Sequence, residues 1–444
     1  MPVSEGRLIL KKILIAFLAV VLFAAAFFVP SIDVAQKVAL GIFFVAIVLW
    51  VSEVIPLYVT SLIILFLEAV VLSPVSGISY QNWVASFFSP ILLLFLGGFV
   101  LASAMKAYRI DEAIANATLA RIGDKPYTVL LGFMVITAVL SMWVSNTAST
   151  ALMIAVALPL IGRAGRFKKA IILGIPFAAS LGGMGTPIGT PPNAIAIGAL
   201  KRMGMTVTFT RWMVRTIPLV IVLILLASAV LYLLFPPETK RLILARREKI
   251  AIRGRALAVF IIVIVTALLW ILSPVHGVSS SVVALFPVIA LFGSGILGRE
   301  RFRQLDWDVL ILMGGGLALG EAIGETGLGR WFMDAAGVEG MPAALSLGIF
   351  VLITALLSNV MSNTSATALI LPMVVSTLTG SGVPFAIALS ASAALVFPIS
   401  TPPNAIAYGS GHIKIRDMAL AGAVINLAAV IIIYFLSLNL WGGA

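Results

Sequence analysis

Ser145-Asn146-Thr147-Ala148-Ser149-Thr150-Ala151-Leu152 returns later in the chain as Ser362-Asn363-Thr364-Ser365-Ala366-Thr367-Ala368-Leu369, at an offset of 362 − 145 = 217. A second motif, Thr190-Pro191-Pro192-Asn193-Ala194-Ile195-Ala196, recurs without change at 401–407, at an offset of 401 − 190 = 211. Weaker echoes keep the same order: Gly97-Gly98 with Gly315-Gly316, and Trp50 with Trp270. Matched motifs in matched order are the mark of an internal duplication.

Each Ser-Asn-Thr copy sits in the middle of an unusual stretch. Residues 127–161 carry no charge, and neither do residues 341–378. A straight helix over either would exceed about 50 Å at 1.5 Å per residue, against a hydrocarbon core of roughly 30 Å. A polar cluster at the centre of such a stretch is explained by a helix–turn–helix hairpin that enters and leaves on one side. Non-helical backbone at that depth is tolerated where it is buried in protein or lines a cavity.

Outward from the hairpins the chain is membrane-like throughout. Of 444 residues, 61% are hydrophobic and 10% charged, with a mean hydropathy of +1.16. A soluble domain of this size needs far more charge on its surface. Apolar runs fall at 8–29, 35–53, 56–73, 89–106, 168–200, 211–235, 256–272, 278–297, 307–323, 383–411 and 416–440, each long enough to span or to break within the bilayer. Alternating ten-residue strands are absent, so the expectation is an all-α polytopic fold, not a barrel.

The units expected are a first transmembrane helix at 1–34, a first repeat at 35–235, a basic loop at 236–255 and a second repeat at 256–444. Each repeat holds five spans and one hairpin. Five is odd, so the second copy must lie upside down relative to the first, the inverted-repeat plan of secondary transporters.

Charge distribution orients this arrangement. The formal charge of +12 sits in short clusters between apolar runs, where the positive-inside rule explains it better than a nucleic-acid partner does. Lys125 precedes the first hairpin, and Arg163, Arg166, Lys168 and Lys169 follow it, which places both ends inside. Asp334 and Glu339 precede the second hairpin and an uncharged loop follows it, which places it outside. With the amino terminus cytoplasmic, Lys240 to Arg255 and the cluster Arg299, Arg301, Arg303 also fall inside. One cluster breaks the pattern: Lys201, Arg202, Arg211 and Arg215 land on the outer face. Residues 8–29 are too long an apolar run for a signal peptide. With no cysteine and only His276 and His412, thiol and histidine chemistry have no basis.

The two motifs suit ion and anion binding. Hydroxyls, amide oxygens and unwound carbonyls are hard donors for an alkali cation, whereas helix amino termini present free N–H groups and partial positive charge to a carboxylate. Two such tips suit a molecule with two carboxylates. Consecutive prolines remove donors and leave carbonyls of the preceding turn unpaired, which is costly at membrane depth without an ion or ligand. The competing structural roles are hydroxyls bonded back to their own helix and proline kinks packed on a neighbour.

Paired Ser-Asn-Thr motifs, each followed by a Pro-Pro-Asn break, resemble the divalent anion/sodium symporters, the INDY-type dicarboxylate carriers. The resemblance covers nearly the whole chain. It implies a dimerising scaffold domain and a transport domain of hairpins and broken helices that moves as an elevator. It implies a first sodium at Ser141, Ser145, Asn146 and the Gly189 carbonyl, and a second at Ser358, Ser362, Asn363 and the Ser400 carbonyl. The substrate is expected on Asn146, Thr147, Asn363 and Thr364, with Thr190-Pro191 and Thr401-Pro402 beside it. Family members commonly have a small glycine or alanine where this chain has Ser400.

The function expected is sodium-coupled symport of small dicarboxylates such as succinate, in the inner (plasma) membrane, with sodium-independent exchange as the alternative. A channel or membrane-embedded enzyme is disfavoured, because polarity is concentrated at one midplane region and no nucleophile–base pair or metal constellation stands in the spans. Among the charged residues in or near spans, Glu53, Lys106, Asp306 and Asp308 fall near span ends, where snorkelling suffices, and Glu68 and Glu321 lie deepest. Residues 107–122 read as an interfacial amphipathic helix.

Overall fold

Every regular element among the described residues is helical. The structure, a computed structural model, describes residues 2–160, 164–242, 250–338 and 340–439. Arg163, the distal end of the first hairpin at 161, the middle of the basic loop (243–249), Glu339 and residues 440–444 lie outside the described residues.

Among the described residues, seven helices are long and apolar enough to cross a membrane. Large apolar side chains such as Phe17, Phe28, Ile221 and Leu233 stand exposed on their outer faces, as lipid-facing residues do. The protein is therefore a multi-pass membrane protein.

Both long charge-free stretches split where the polar clusters fall. Pro126–Ser141 and Asn146–Leu160 are two helices packed on each other, and so are Ala343–Ser358 and Asn363–Val375. Lys125-Pro126 starts the first arm, since proline at the first helical position lacks only an N–H that has no partner anyway. The stretch 168–200 is also two helices, Lys168–Gly183 and Pro191–Arg202, separated by residues 184–190. Likewise 383–411 becomes Gly382–Ser392 and Pro402–Gly409.

Packing follows the repeat. Lys168–Gly183 packs on both arms of the first hairpin, and Gly382–Ser392 on both arms of the second. Each short helix after a proline break then crosses to the other copy. Pro191–Arg202 packs on Gly382–Ser392 and Asn363–Val375, while Pro402–Gly409 packs on Lys168–Gly183 and Asn146–Leu160.

The weaker echoes also have structural counterparts. A Cβ on Gly97 would lie 2.6 Å from the Ala284 carbonyl oxygen, and one on Gly315 would lie 2.7 Å from Ser61 Cα. Each glycine thus lets a helix of one copy press on a helix of the other. Trp50 and Trp270, both fully buried, donate from Nε1 to Leu57 O at 3.2 Å and Ser280 O at 2.9 Å, each the first residue of a following helix.

Several boundaries differ from the sequence reading. The amphipathic helix is limited to Ile110–Leu119, because Arg109 adopts a left-handed conformation (φ 54°) that no helix continues through. Run 56–73 extends to Ser76 through a π-helical turn at Glu68–Leu72. Run 278–297 is two short helices, Ser280–Val283 and Leu285–Gly293. Tyr80–Phe87, Arg299–Arg303 and Leu328–Ala335 are additional helices, too short for hydropathy to reveal.

Two members of the misplaced basic cluster have partners inside the protein. Arg202 Nε lies 3.8 Å from Glu321 Oε2, and the Arg215 guanidinium sits 5.3 Å from the Phe385 ring centroid. Charges held this way do not report on loop topology.

Candidate functional site: two hairpin tips and two broken helices

Each tip is built where a helix ends and another begins within four residues. Ser141 is the last residue of the first hairpin's first arm and Asn146 the first residue of its second arm. Ser141 Oγ donates to Ala179 O at 2.8 Å and touches the Asn146 side chain. The Asn146 amide also lies near the carbonyl oxygens of Ala179 and Gly189, at 3.2 and 3.3 Å when its nitrogen is turned toward them.

The second tip repeats this. Ser358 ends one arm and Asn363 begins the next. Ser358 Oγ lies 2.7 Å from Asn363 Oδ1 and 2.7 Å from Ala391 O. Ala179 and Ala391 belong to the helices that end at the two proline breaks.

The breaks themselves match closely. Thr190 (φ −153°, ψ 143°) and Thr401 (φ −148°, ψ 149°) are extended residues that precede a proline at the first helical position. Asn193 Nδ2 donates to Gly183 O at 3.0 Å and Thr186 O at 2.8 Å, and Asn404 Nδ2 donates to Phe397 O at 3.0 Å. Both asparagines are fully buried, and the Oδ1 of each has no partner among the described residues. These asparagines clamp the loops that carry Gly189 and Ser400.

Not every predicted ligand points at a shared centre. Ser145 Oγ accepts from Ala148 N at 3.3 Å and Ser362 Oγ accepts from Ser365 N at 3.1 Å, so both hydroxyls cap their own helices. Thr401 Oγ1 accepts from Asn404 N at 3.2 Å in the same manner. Ser400 Oγ donates to Asn359 O at 2.9 Å, which ties the second break to the turn of the second hairpin. Thr147 is exposed at the first tip, whereas Thr364 at the second is only 6% exposed. Pro191 is half-buried and Pro402 exposed.

Sequence reasoning missed Ala179, Ala391 and Asn359. The first two act through main-chain oxygens, which carry no residue-type signal. Asn359 did leave one: it stands opposite Met142 at the repeat offset (359 − 142 = 217), a polar residue where the first copy has an apolar one.

Paired hairpins and two broken helices within an all-helical membrane fold follow the plan of a secondary transporter. Residues 47–391 match the family described as CitMHS, citrate transporter. The chain is 35% identical to the "Sodium-dependent dicarboxylate transporter SdcS" of Staphylococcus aureus (strain USA300), covering 97% of this chain and 91% of that one. It is 33% identical to the protein of the same name from Staphylococcus saprophyticus, over 89% of this chain and 86% of the relative. It is also 32% identical to an "Uncharacterized transporter" of Haemophilus influenzae over 97% of both chains. Among solved structures, the Alcanivorax borkumensis YdaH transporter shares the fold, with a TM-score of 0.56 at 15% identity over 82% of this chain and 88% of that one. The chain belongs to the citrate-transporter family, within the divalent anion/sodium symporters.

Proposed function

We propose that this protein is a sodium-coupled symporter of small dicarboxylates, C4 acids such as succinate among them. The observation that carries the reading is the repeated convergence of a serine hydroxyl, an asparagine amide and a main-chain carbonyl at Ser141–Asn146–Ala179 and Ser358–Asn363–Ala391. Such donor sets fit sodium, which takes neutral oxygens readily. The two sodium ions would be held at Ser141, Ser145, Asn146 and Gly189, and at Ser358, Ser362, Asn363 and Ser400. Ser145 and Ser362 join only if their capping hydroxyls turn or share.

The substrate would rest on Asn146, Thr147, Asn363 and Thr364, flanked by Thr190-Pro191 and Thr401-Pro402. Helix amino termini at Asn146 and Asn363 supply N–H groups and dipole, and the bound cations supply charge. Relatives named as sodium-dependent dicarboxylate transporters support both the ion and the substrate class.

The repeat at 35–235 and 256–444 is inverted, with hairpin 127–161 opening to the cytoplasm and hairpin 341–378 to the outside. Transport proceeds by an elevator movement of the hairpins and broken helices against a scaffold that forms a homodimer. The amino terminus is cytoplasmic and the membrane is the inner, plasma membrane.

Uptake of labelled succinate into proteoliposomes, under an inward sodium gradient against an equal potassium gradient, tests this. Uptake with sodium alone supports symport, and Asn363→Ala should then abolish it with expression intact. Uptake indifferent to sodium but stimulated by internal dicarboxylate would make the protein an exchanger. Normal transport by Asn363→Ala would remove the site.

A further inference from the structure

The first hairpin tip opens onto a cavity that the dicarboxylate site does not include. Its volume is about 190 Å³, and Ser103, Lys106, Ser145, Arg301, Gln304 and Asp306 supply its polar lining. Three separate elements meet there: the end of helix Ile91–Ala107, the tip of the first hairpin, and the short helix Arg299–Arg303 with the turn after it.

The charges are arranged for an anion. Lys106 and Arg301 form no ion pair among the described residues, whereas the neighbouring Arg303 is bound to Glu300 at 2.8 Å. Asp306 is the one carboxylate in the lining, which leaves the lining with one net positive charge, and Asp111 acts on Lys106 from outside the lining. Phe99, Val144 and Leu305 form the rest of the wall, and such low-dielectric surfaces focus the field of the charges into the space between them.

Both cations stand on anchored elements. Tyr108 Oη donates to Ile296 O at 2.8 Å, which ties the end of the helix carrying Lys106 to the segment just before Arg299. Trp307 Nε1 donates to Phe302 O at 2.9 Å, which anchors the short helix carrying Arg301. Ser145 belongs to the same tip as Asn146, so the cavity adjoins the substrate and sodium residues directly.

We propose that Lys106 and Arg301 form a carboxylate-binding vestibule on the cytoplasmic side, where one end of the dicarboxylate docks before it reaches Asn146 or after it leaves. This rests on the transport reading above. The vestibule raises local dianion concentration at one face only, so it acts on KM from the cytoplasm and leaves KM from outside unchanged.

The chain contains no cysteine, which gives a direct test of charge. Lys106→Cys and Arg301→Cys are assayed by succinate uptake into inside-out and right-side-out membrane vesicles at fixed sodium. Expected is a rise in cytoplasmic KM of about fivefold, on the order expected when a focusing charge is removed at low ionic strength. A trimethylammonium-ethyl methanethiosulfonate restores the low KM, a sulfonatoethyl reagent raises KM further, and the outer KM stays constant.

Equal KM values for wild type and both variants would overturn the vestibule. So would variants that change the response to anionic lipid without moving succinate KM, because the cavity would then hold a headgroup. Wild-type vesicles without any sodium-dependent uptake would instead sink the transport reading itself, so the two failures are distinguishable.

Discussion

Ser358 Oγ donates to Asn363 Oδ1 at 2.7 Å, joining the last residue of one hairpin arm to the first residue of the next. Its second contact, 2.7 Å to Ala391 O, draws in the helix that ends at the second proline break. One hydroxyl therefore sets the relative position of the three segments that make up the second tip, and Ser141 does the same at the first.

Ser358→Ala removes both contacts and leaves the asparagine amide without its neighbour. A lost hydrogen bond of about 1 kcal/mol corresponds to several-fold in an equilibrium constant. The half-saturating sodium concentration for succinate uptake is expected to rise about three- to tenfold, on that scale. An unchanged sodium titration would show that Ser358 serves packing only.

Asn193 and Asn404 occupy equivalent positions yet carry different loads. Asn193 donates twice, to Gly183 and Thr186, whereas Asn404 donates once, to Phe397. Replacing either by aspartate removes the donors and places a carboxylate at a fully buried position. Asn193→Asp is expected to destabilise by about 2 kcal/mol or more, and Asn404→Asp by less. Thermal unfolding in detergent orders the two, and the reverse order would contradict the clamp.

Arg202 and Glu321 stand 3.8 Å apart and each keeps roughly a quarter of its side chain exposed (26% and 22%). Partial exposure weakens such a pair relative to a fully buried one. Arg202→Gln and Glu321→Gln should each lower thermal stability, and the double variant should lose about 1 kcal/mol less than the sum of the two. Strict additivity would mean that the two side chains do not interact.

Glu68 is a different case. It is fully buried in the π-helical turn Glu68–Leu72, and neither carboxyl oxygen has a hydrogen-bond partner among the described residues. Hydropathy marked it as deep, because a carboxyl within an apolar run is visible in one dimension. The turn that holds it is not, since a π-bulge depends on how the helix is packed.

The sequence by itself determined the class of the fold. Apolar runs of bilayer length, charge-free stretches too long for one span, and two motifs repeated in order each follow from local chemistry and chain arithmetic. It also marked Asn146 and Asn363, because a polar cluster in an apolar run has few reasons to be there, while Ser141 and Ser358, which the structure places beside them, came only from the family resemblance. Tertiary structure alone decided which oxygens surround them. The Ala179 and Ala391 carbonyls belong to the backbone, which every residue shares, so no side chain announces them. It decided that Ser145 and Ser362 cap helices, because a hydroxyl has several partners in reach and only the fold selects one. It also brought Lys106, Arg301 and Ser145 to one cavity, since charges that are distant along the chain become neighbours only when helices pack.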